Sequence, residues 1–286
     1  MTAGACDACM HRANVIATIA PRIESLLQKP GKRISQVLAL DNEALVEALV
    51  APERKDEVRK GARGFRPELA REAAADAGME TLCRHTRRYP ESLLPLPDAP
   101  PVLWMTGATG RWDALVSSPG VAIVGSRRPS AYGTEIADEL GRGLSTAGVT
   151  VISGLALGID GAAHRGALKA AEPRVIAVLG GGADVVYPRI HARLYDEIRA
   201  AGVIVSEHPP GRRPFRWSFP ARNRIMAALA AMTVVVEAAD PSGSLITAAF
   251  AAELGRGVAA VPGRVTASNA AGSNRLLRDG AAVIRH

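Results

Sequence analysis

Short runs of β-branched and other apolar residues recur along the second half of the chain, and stretches of helical length separate them. The runs are VAIVGS, GVTVISG, RVIAVLGGG, GVIVSEHP, TVVVEAA, GVAAVPG and AAVIRH. They do not alternate polar with apolar residues, as a strand with one solvated face would. Strands buried on both faces belong to parallel sheets that helices cover. The pattern therefore predicts an α/β fold for residues 120–286, an extended Rossmann-like, doubly wound, mostly parallel sheet of about seven strands.

The residues before position 120 follow a different pattern. Residues 1–85 contain amphipathic stretches, among them ISQVLALDNEALVEALV and RPELAREAAADAG, and predict a small N-terminal helical domain. The first stretch places its apolar side chains on one helix face. The charged segment ERKDEVRKGARG is expected to be a solvated face or a loop. Five prolines within residues 88–107 exclude a continuous helix, so residues 86–119 are predicted to form a proline-rich linker or lead-in.

The charge balance is positive. The chain has 35 Lys and Arg residues against 28 Asp and Glu residues, which gives a formal net charge of +7. Such a balance attracts phosphate polymers and other anions. No apolar run reaches the roughly 18–20 residues that cross a bilayer, and the N-terminus shows no basic segment followed by an apolar core. We therefore expect a cytoplasmic protein without membrane contact.

The cysteines and nearby histidines offer a possible metal site. Cys6 and Cys9 form a C-x-x-C pair close to His11, whereas Cys83 and His85 lie far along the chain. A zinc site requires four ligands within tetrahedral reach. An odd cysteine count argues against a disulfide framework. We expect reduced, unligated thiols, no metal and no cofactor, with zinc as the alternative.

The loop after the first predicted strand of the sheet is GSRR, residues 125–128. Ligands of such sheets bind beyond the carboxyl ends of the strands, and small residues there let backbone N–H groups approach an anion. Only Gly125 fits a G-x-G-x-x-G fingerprint, and the next strand ends in Ser153-Gly154 rather than in an acidic residue, which disfavours NAD. We predict a phosphate site formed by Ser126, backbone amides and Arg127. The alternative is a strand-to-helix turn that binds nothing.

A basic and aromatic segment follows the fourth predicted strand. Its arginines and rings are Arg212, Arg213, Arg216, Arg222, Arg224, Phe215, Trp217 and Phe219. Arginines that follow a phosphate backbone and rings that stack on bases are typical of single-stranded nucleic acid binding. In the alternative interpretation the rings anchor a long loop to the core while the arginines stay solvated. We expect a mixture of the two, with one ring exposed.

Side chains suited to hydrolytic chemistry are few. Asp160 and His164 lie four residues apart on a predicted helix and could form an acid–base pair. An aspartate near a helix start is also an ordinary cap or dipole partner, and we favour this structural interpretation. Glu207 and Glu237 end strands and receive no catalytic role. We predict no catalytic residue.

Several motifs in collinear order resemble the bacterial DNA-processing protein A family, also called DprA or Smf. They are YPESLLPLPDAPPVLWMTG, VAIVGSRRPSAYG, VISGLALGIDGAAHRGAL, VLGGGADVVYP, SEHPPG, FPARNRIMAAL, VVVEAADPSGSLITAAFAAELGR and VPG. The resemblance implies a non-enzymatic, homodimeric protein that binds and protects incoming single-stranded DNA. It also implies that the protein loads the RecA recombinase during natural transformation and recombination. Residues 1–85 would form a SAM-like or helix-hairpin domain, and no C-terminal winged-helix domain is expected within this sequence.

The resemblance also implies roles for particular residues. Gly125, Ser126 and Arg127 would grip a phosphate, Arg216 and Phe219 would supply a cation and a stacking ring, and Asn223 would add a polar contact. Residues at other predicted strand ends complete the site. The full set of predicted DNA-binding residues is Gly125, Ser126, Arg127, Arg128, Ser153, Gly154, Arg216, Phe219, Arg222, Asn223, Ser242 and Gly243.

A second class of protein remains as the alternative. The predicted fold resembles that of nucleoside-monophosphate phosphoribohydrolases, whose P-G-G-x-G-T-x-x-E loop carries an active glutamate. The corresponding stretch here is PSGSLITAA, in which Ser242 and Ser244 replace motif residues. Ala248 or Ala249 stands where the glutamate would be. The stretch therefore disfavours the enzyme.

Overall fold

The structure, a computed structural model, describes residues 4–27 and 34–285. The chain divides into two compact units. The first unit comprises residues 1–106, 180–185 and 206–221, and the second comprises residues 107–179, 186–205 and 222–286. The first unit is therefore assembled from three separate segments of chain. No helix within the described ranges is long and apolar enough to span a bilayer.

The first unit is mainly helical at its N-terminus. Its elements are α1 (Asp7–Leu27), α2 (Ile34–Leu38), α3 (Asn42–Leu49), α4 (Lys55–Gly64), α5 (Pro67–Asp76), β1 (Glu80–Leu82) and β2 (Leu103–Gly107). The strands β1 and β2 pair antiparallel, with Leu82 opposite Leu103. Ile19 and Ile23 of α1 pack with Leu45 of α3 in a buried cluster that also takes in Trp217.

The helical prediction for residues 34–50 is right about type and wrong about continuity. The stretch ISQVLALDNEALVEALV forms two helices, α2 and α3, rather than one helix face. Asp41 separates them, because its backbone is extended and its carboxylate accepts the Ala44 N–H at 2.8 Å as the N-cap of α3. The charged segment that follows forms α4, whose Arg59 pairs across the surface with Glu47 at 2.6 Å. The expected solvated face is thus confirmed, on a helix.

The second unit contains a parallel sheet. Its strands are β3 (Gly120–Val124), β4 (Thr150–Ser153), β5 (Val175–Leu179), β6 (Val203–Ser206), β7 (Met232–Val235), β8 (Gly257–Ala260) and β9 (Ala282–Val283). They follow the order β6-β5-β4-β3-β7-β8-β9. The central strand β3 pairs in parallel with both β4 and β7. All seven predicted strands are present, and the predicted α/β class is confirmed.

Helices connect these strands. They are α6 (Trp112–Ser117), α7 (Ala131–Thr146), α8 (Ile159–Leu168), α9 (Ala192–Ala201), α10 (Ser218–Leu229), α11 (Gly243–Glu253) and α12 (Ala271–Arg278). The chain builds the sheet outwards from β3 through β4 to β6, then returns to the other side of β3 with β7. The order of strands therefore reverses between β3 and β7. In open parallel sheets, ligands bind at such a switch point, beyond the carboxyl ends of the strands.

Candidate nucleic-acid interface

The loop that follows β3, residues 125–130, is tied to the loops after both neighbouring strands. The Ser126 N–H donates to the Glu237 carbonyl, after β7, at 2.6 Å. The Ser126 carbonyl accepts the Ile159 N–H, after β4, at 3.1 Å. The Ser126 hydroxyl accepts the Arg128 N–H at 3.0 Å and closes a local turn. These bonds fix the loop's backbone at the switch point of the sheet.

The Glu237 carboxylate holds the end of this loop. It is buried and accepts both the Ser130 N–H, at 2.8 Å, and the Ser130 hydroxyl, at 2.6 Å. The Ser130 hydroxyl in turn accepts the Gly133 N–H at 3.1 Å as the N-cap of α7. Glu237 thus sets where α7 begins. The sequence predicted no catalytic role for Glu237 and did not reveal this structural one. The available signal was an acidic residue after one central strand and a serine cap after the neighbouring strand.

Glycine is required at two positions where the loops meet. A Cβ at Gly125 would lie 2.6 Å from Ile159 Cγ1 and 2.8 Å from the Glu237 carbonyl oxygen. Gly158 has a φ of +78°, and a Cβ there would collide with the Ser126 carbonyl oxygen. Close packing of the two loops therefore demands both glycines. The sequence analysis had explained Gly125 by backbone access to an anion.

The outer face of the switch point is positively charged. The side chains of Arg127 and Arg128 are exposed on the 125–130 loop. Three helices begin beyond the adjacent strands β4, β3 and β7, namely α8, α7 and α11. Helix N-termini carry partial positive charge and unpaired N–H groups. Arginine side chains and helix starts on one edge suit a phosphate-bearing ligand.

Three other predicted contact residues lie beneath this face. Ser153 is fully buried, and its hydroxyl donates to the Ile123 carbonyl at 2.7 Å. The Arg222 guanidinium is also buried and donates to the Gly154 carbonyl and, at 2.8 Å, to the Val178 carbonyl. Gly154 is buried as well. These residues connect strand ends inside the second unit and do not present side chains to solvent.

Asp160 and His164 belong to the same buried layer. The Asp160 carboxylate accepts the Gly154 N–H at 3.1 Å and pairs with Arg222 at 3.5 Å. Burial, reinforced by the positive charge of Arg222, lowers the pKa of His164 to about 3, so its imidazole is neutral at pH 7. A neutral, fully buried imidazole cannot exchange protons with a bound ligand. The Asp160 carboxylate accepts hydrogen bonds from the backbone that precedes α8. This is a structural role, as the favoured interpretation expected.

Ser242 and Gly243 lie at the start of α11, and Asn223 of α10 contacts the same turn. Ser242 is the N-cap of α11, and its hydroxyl accepts the Ser244 N–H at 3.4 Å. The Asn223 amide donates to the Gly243 carbonyl at 3.3 Å, so it steadies the same turn. Gly243 is exposed and Ser242 is half-buried, whereas Asn223 is largely buried. The structure thus brings Ser242 and Gly243 to the surface and places Asn223 behind them.

Residues 212–219 of the basic and aromatic segment belong to the first unit, where Trp217 anchors them to α1. Trp217 is buried, its Nε1 donates to the Ala20 carbonyl at 3.0 Å, and its backbone N–H donates to Glu24 at 3.1 Å. The Phe215 ring stacks on Trp217 with centroids 6.2 Å apart. The Arg212 guanidinium lies 5.5 Å from the centre of Phe215 and donates to the Ala17 carbonyl. The rings thus anchor this part of the segment, as the alternative interpretation held, whereas Arg212 is partly buried rather than solvated.

Other residues of the same segment face solvent. Arg213 and Arg216 are exposed, and Phe219, in the first turn of α10, is half-buried with its ring against Gly180. The segment therefore combines a buried anchor with exposed cations and a partly accessible ring. The expected exposed ring is not found, because Trp217 is buried and Phe215 and Phe219 are both half-buried.

The fold and the charged edge define a class: a Rossmann-like α/β protein with a candidate phosphate-binding face at its switch point. Within that class, the chain belongs to the DNA recombination-mediator protein A family, whose model matches residues 80–286. The DNA processing protein DprA of Bacillus subtilis is 36% identical over 282 residues, which cover 96% of this chain and 93% of that protein. The resemblance found in the sequence is confirmed.

Solved structures agree with this assignment. The X-ray structure of DNA processing protein A from Streptococcus pneumoniae matches with a TM-score of 0.73 and 29% identity, and the match covers 96% of this chain and 92% of that one. DNA processing protein A from Helicobacter pylori, described for its single-stranded DNA binding mode, matches with a TM-score of 0.65 and 32% identity over 73% of this chain and 91% of that one. The chain spans about half the length of other curated relatives that it matches.

Proposed function

We propose that the protein binds single-stranded DNA, and that exposed arginines on a rigid loop carry much of the binding. The observation behind this proposal is the 125–130 loop: hydrogen bonds to Glu237 and Ile159 fix its backbone, and Arg127 and Arg128 project from it. A fixed loop loses little conformational entropy when a phosphate binds. The single-stranded DNA binding of the Helicobacter pylori relative supports the choice of ligand.

The predicted contact residues fall into two groups in this proposal. Direct contacts come from Arg127, Arg128, Ser126 and the backbone of Gly125 on the loop, from Ser242 and Gly243 at the start of α11, and in the first unit from Arg216 and Phe219. Ser153, Gly154, Arg222 and Asn223 act from behind by positioning the strand ends. Their burial and their bonds to carbonyls support this division.

We also propose that the protein binds DNA without chemically changing it. Two titratable groups near the edge are unsuited to proton transfer: both oxygens of the Glu237 carboxylate accept hydrogen bonds from Ser130, and His164 is buried and neutral. A general acid or base needs a proton that it can exchange with the substrate. The test is release of free base from nucleoside monophosphates, for which we expect no turnover; turnover lost on mutation of Glu237 would contradict the proposal.

Family membership supports a wider role, which we propose in the same terms as the resemblance. The protein would act in the cytoplasm as a homodimer that protects incoming single-stranded DNA and loads the RecA recombinase on it. A direct measurement is the rate at which RecA forms filaments on DNA that a single-strand-binding protein already covers. We expect a faster rate with this protein present, and no acceleration would contradict the loading role.

The decisive experiment for DNA binding is a competition between single-stranded and duplex oligonucleotides for a labelled single strand. We expect the unlabelled single strand to displace the labelled strand at much lower concentration than the duplex of the same sequence. The reason is that only unpaired bases can stack on an aromatic side chain. Equal competition by the duplex would overturn the proposal. Repetition with two unrelated base sequences shows whether the contacts are to the phosphate backbone.

A further inference from the structure

Four metal-binding side chains meet in the first unit, outside the DNA-binding surfaces described above. They are Cys6, Cys9, Cys83 and His85, and their ligand atoms all lie within 4.8 Å of one another. His85 Nδ1 lies 3.2 Å from the Cys6 sulfur and 3.4 Å from the Cys9 sulfur. Positions separated by more than seventy residues thus converge on one point. The sequence had predicted unligated thiols because Cys83 and His85 are remote in sequence from Cys6 and Cys9. In the folded chain the four residues are close together.

Local structure holds the two halves of this cluster in place. Cys6 immediately precedes α1 and Cys9 lies in its first turn, whereas Cys83 directly follows β1. Beside the cluster, the Ala5 N–H donates to Thr81 Oγ1 at 3.1 Å. On the other half, the Thr86 N–H donates to the Cys83 carbonyl at 2.7 Å and forms a tight turn that carries His85.

Arg71 of α5 also holds the chain segment that carries Cys6. Its guanidinium donates to the Ala5 carbonyl at 2.9 Å and to the Asp7 carboxylate at 2.8 Å. The segment that carries Cys6 is therefore held by β1 on one side and by α5 on the other. A ligand set whose backbone is already fixed loses little entropy when an ion binds.

The geometry fits a tetrahedral ion. With metal–sulfur bonds of about 2.3 Å and metal–nitrogen bonds of about 2.0–2.1 Å, the edges of a regular tetrahedron are about 3.8 Å between sulfurs and about 3.5 Å between sulfur and nitrogen. The separations between His85 and the sulfurs of Cys6 and Cys9, 3.2 and 3.4 Å, approach that edge. The Cys6 N–H also points at the Cys83 sulfur, at 3.3 Å. Such N–H donors stabilise thiolate ligands and orient them.

We propose that Cys6, Cys9, Cys83 and His85 bind one zinc ion. Three thiolates and an imidazole form a soft ligand set that favours zinc over magnesium or calcium, which prefer oxygen. Because the protein fills all four positions, no site is left for a substrate, and the ion is structural. It cross-links the start of α1 to the end of β1. His11, although closer to Cys9 in sequence than His85 is, packs its ring edge-on against Phe65 at 5.4 Å and does not belong to the cluster.

The first test measures metal content in the full-length chain, prepared without a histidine tag from zinc-supplemented medium. We expect one zinc ion per chain, and loss of that zinc in Cys83→Ser and in His85→Gln. His85 is exposed, so its substitution leaves the buried core unchanged. His11→Gln is the matched control, because it removes a histidine near the same C-x-x-C motif, and it should retain the ion.

The second test needs no variant. Zinc is removed from the wild-type protein with a chelator and replaced by Co²⁺, for which we expect thiolate-to-cobalt charge transfer and the intense visible bands of a tetrahedral site. The chelator should also lower the midpoint of thermal unfolding of the wild type and of His11→Gln, and leave that of His85→Gln unchanged. A wild-type protein that holds no zinc and gives no tetrahedral cobalt spectrum would overturn the proposal. So would zinc retained equally by His85→Gln and Cys83→Ser.

Discussion

At the scale of single residues, Arg127 is the sharpest probe of the 125–130 loop. The residue is exposed, and hydrogen bonds of Ser126 fix the backbone beside it. We expect Arg127→Ala to weaken single-stranded DNA binding by a similar factor for all base sequences, because phosphate contacts carry no sequence information. The slope of log affinity against log salt concentration should become shallower by about 0.7. Fluorescence anisotropy titrations at several salt concentrations measure both quantities.

The control for this variant is Arg193→Ala. Arg193 is exposed on α9 and pairs with Glu197 at 2.9 Å, so the substitution removes the same charge from a different element. If the two variants lose affinity equally, the effect is one of overall charge, and the loop has no special role.

For a substitution of Glu237, two physical effects predict opposite changes in the affinity for single-stranded DNA. Removal of a negative charge near a phosphate site should strengthen binding if only electrostatics matters. Loss of the bonds to Ser130 should loosen the loop and weaken binding. We expect Glu237→Gln to weaken single-stranded DNA binding, together with a loss of about 1–3 kcal/mol in the free energy of unfolding. Both are measured on the same preparation, by anisotropy and by urea denaturation.

Two further variants interpret the Glu237 result. Ser130→Ala should reproduce the loss, because it removes one partner of the same carboxylate. Glu135→Gln removes an equal charge from an exposed position on α7 and should not weaken binding. Tighter binding by Glu237→Gln would show that the carboxylate does not position the loop.

Phe219 and Trp217 separate DNA contact from anchoring within one segment. We expect Phe219→Ala to lose about 1–3 kcal/mol of binding free energy, because a stacked base would lose its ring. Phe219→Leu, which keeps much of the apolar volume, should lose affinity as well while the thermal midpoint changes little. Trp217→Ala should instead lower the free energy of unfolding by about 3–5 kcal/mol, since it empties a buried site. Unchanged affinity in a folded Phe219→Ala would assign this ring to packing alone.

At the scale of elements, the buried pair of Arg222 and Asp160 joins α10 and α8 to the ends of β4 and β5. We expect Arg222→Met to lower the free energy of unfolding by about 3–5 kcal/mol, because the Asp160 carboxylate would stay buried without its cation. Denaturant melts measure the loss. The matched variant Asp160→Asn with Arg222→Met should recover part of the stability; a double variant no more stable than Arg222→Met would show that the pair is not coupled.

The strands of the second unit were predictable because each lies in a short apolar run, and in β3 to β7 these runs consist mostly of β-branched residues. The strand β1 was missed, since Glu-Thr-Leu is too short to show a period. The break between α2 and α3 depends on one cap at Asp41, which the apolar spacing of the stretch does not reveal. Local pattern thus predicted the type of most elements and failed where a single hydrogen bond decides a boundary.

The candidate site was predictable in part. The position of GSRR at a strand end marked the 125–130 loop, because parallel strands bring their carboxyl ends to one edge. Composition could not show that Arg222 is buried while Arg216 is exposed, since both belong to the same arginine-rich stretch. The cluster of Cys6, Cys9, Cys83 and His85 was not predictable from spacing, because it depends on the contacts of residues 5 and 6 with Thr81 and Cys83. A local sequence pattern does not contain information about contacts between residues that are distant in sequence.

At the scale of the whole molecule, the net charge of +7 and the exposed arginines should make DNA binding strongly salt-dependent. Each phosphate neutralised releases counterions, so log affinity should fall linearly with log salt concentration. We expect a slope of about −2 or steeper, since Arg127, Arg128 and Arg216 alone give three contacts at about 0.7 each. Isothermal titrations with a poly-thymidine oligonucleotide check the slope, and a flat dependence would contradict binding through phosphates.

The three-segment construction of the first unit also has a consequence for synthesis on the ribosome. The Trp217 indole that bonds to Ala20 is made 197 residues after it. At about 5–20 residues per second, the N-terminal helices wait roughly 10–40 s for the ring that completes their core. During that interval their apolar faces stay uncovered, and a chain released early never covers them. Expression of residues 1–85 alone should therefore yield a fragment prone to aggregation. A chain that ends before Trp217 lacks the ring that covers these apolar faces, so premature termination exposes them permanently.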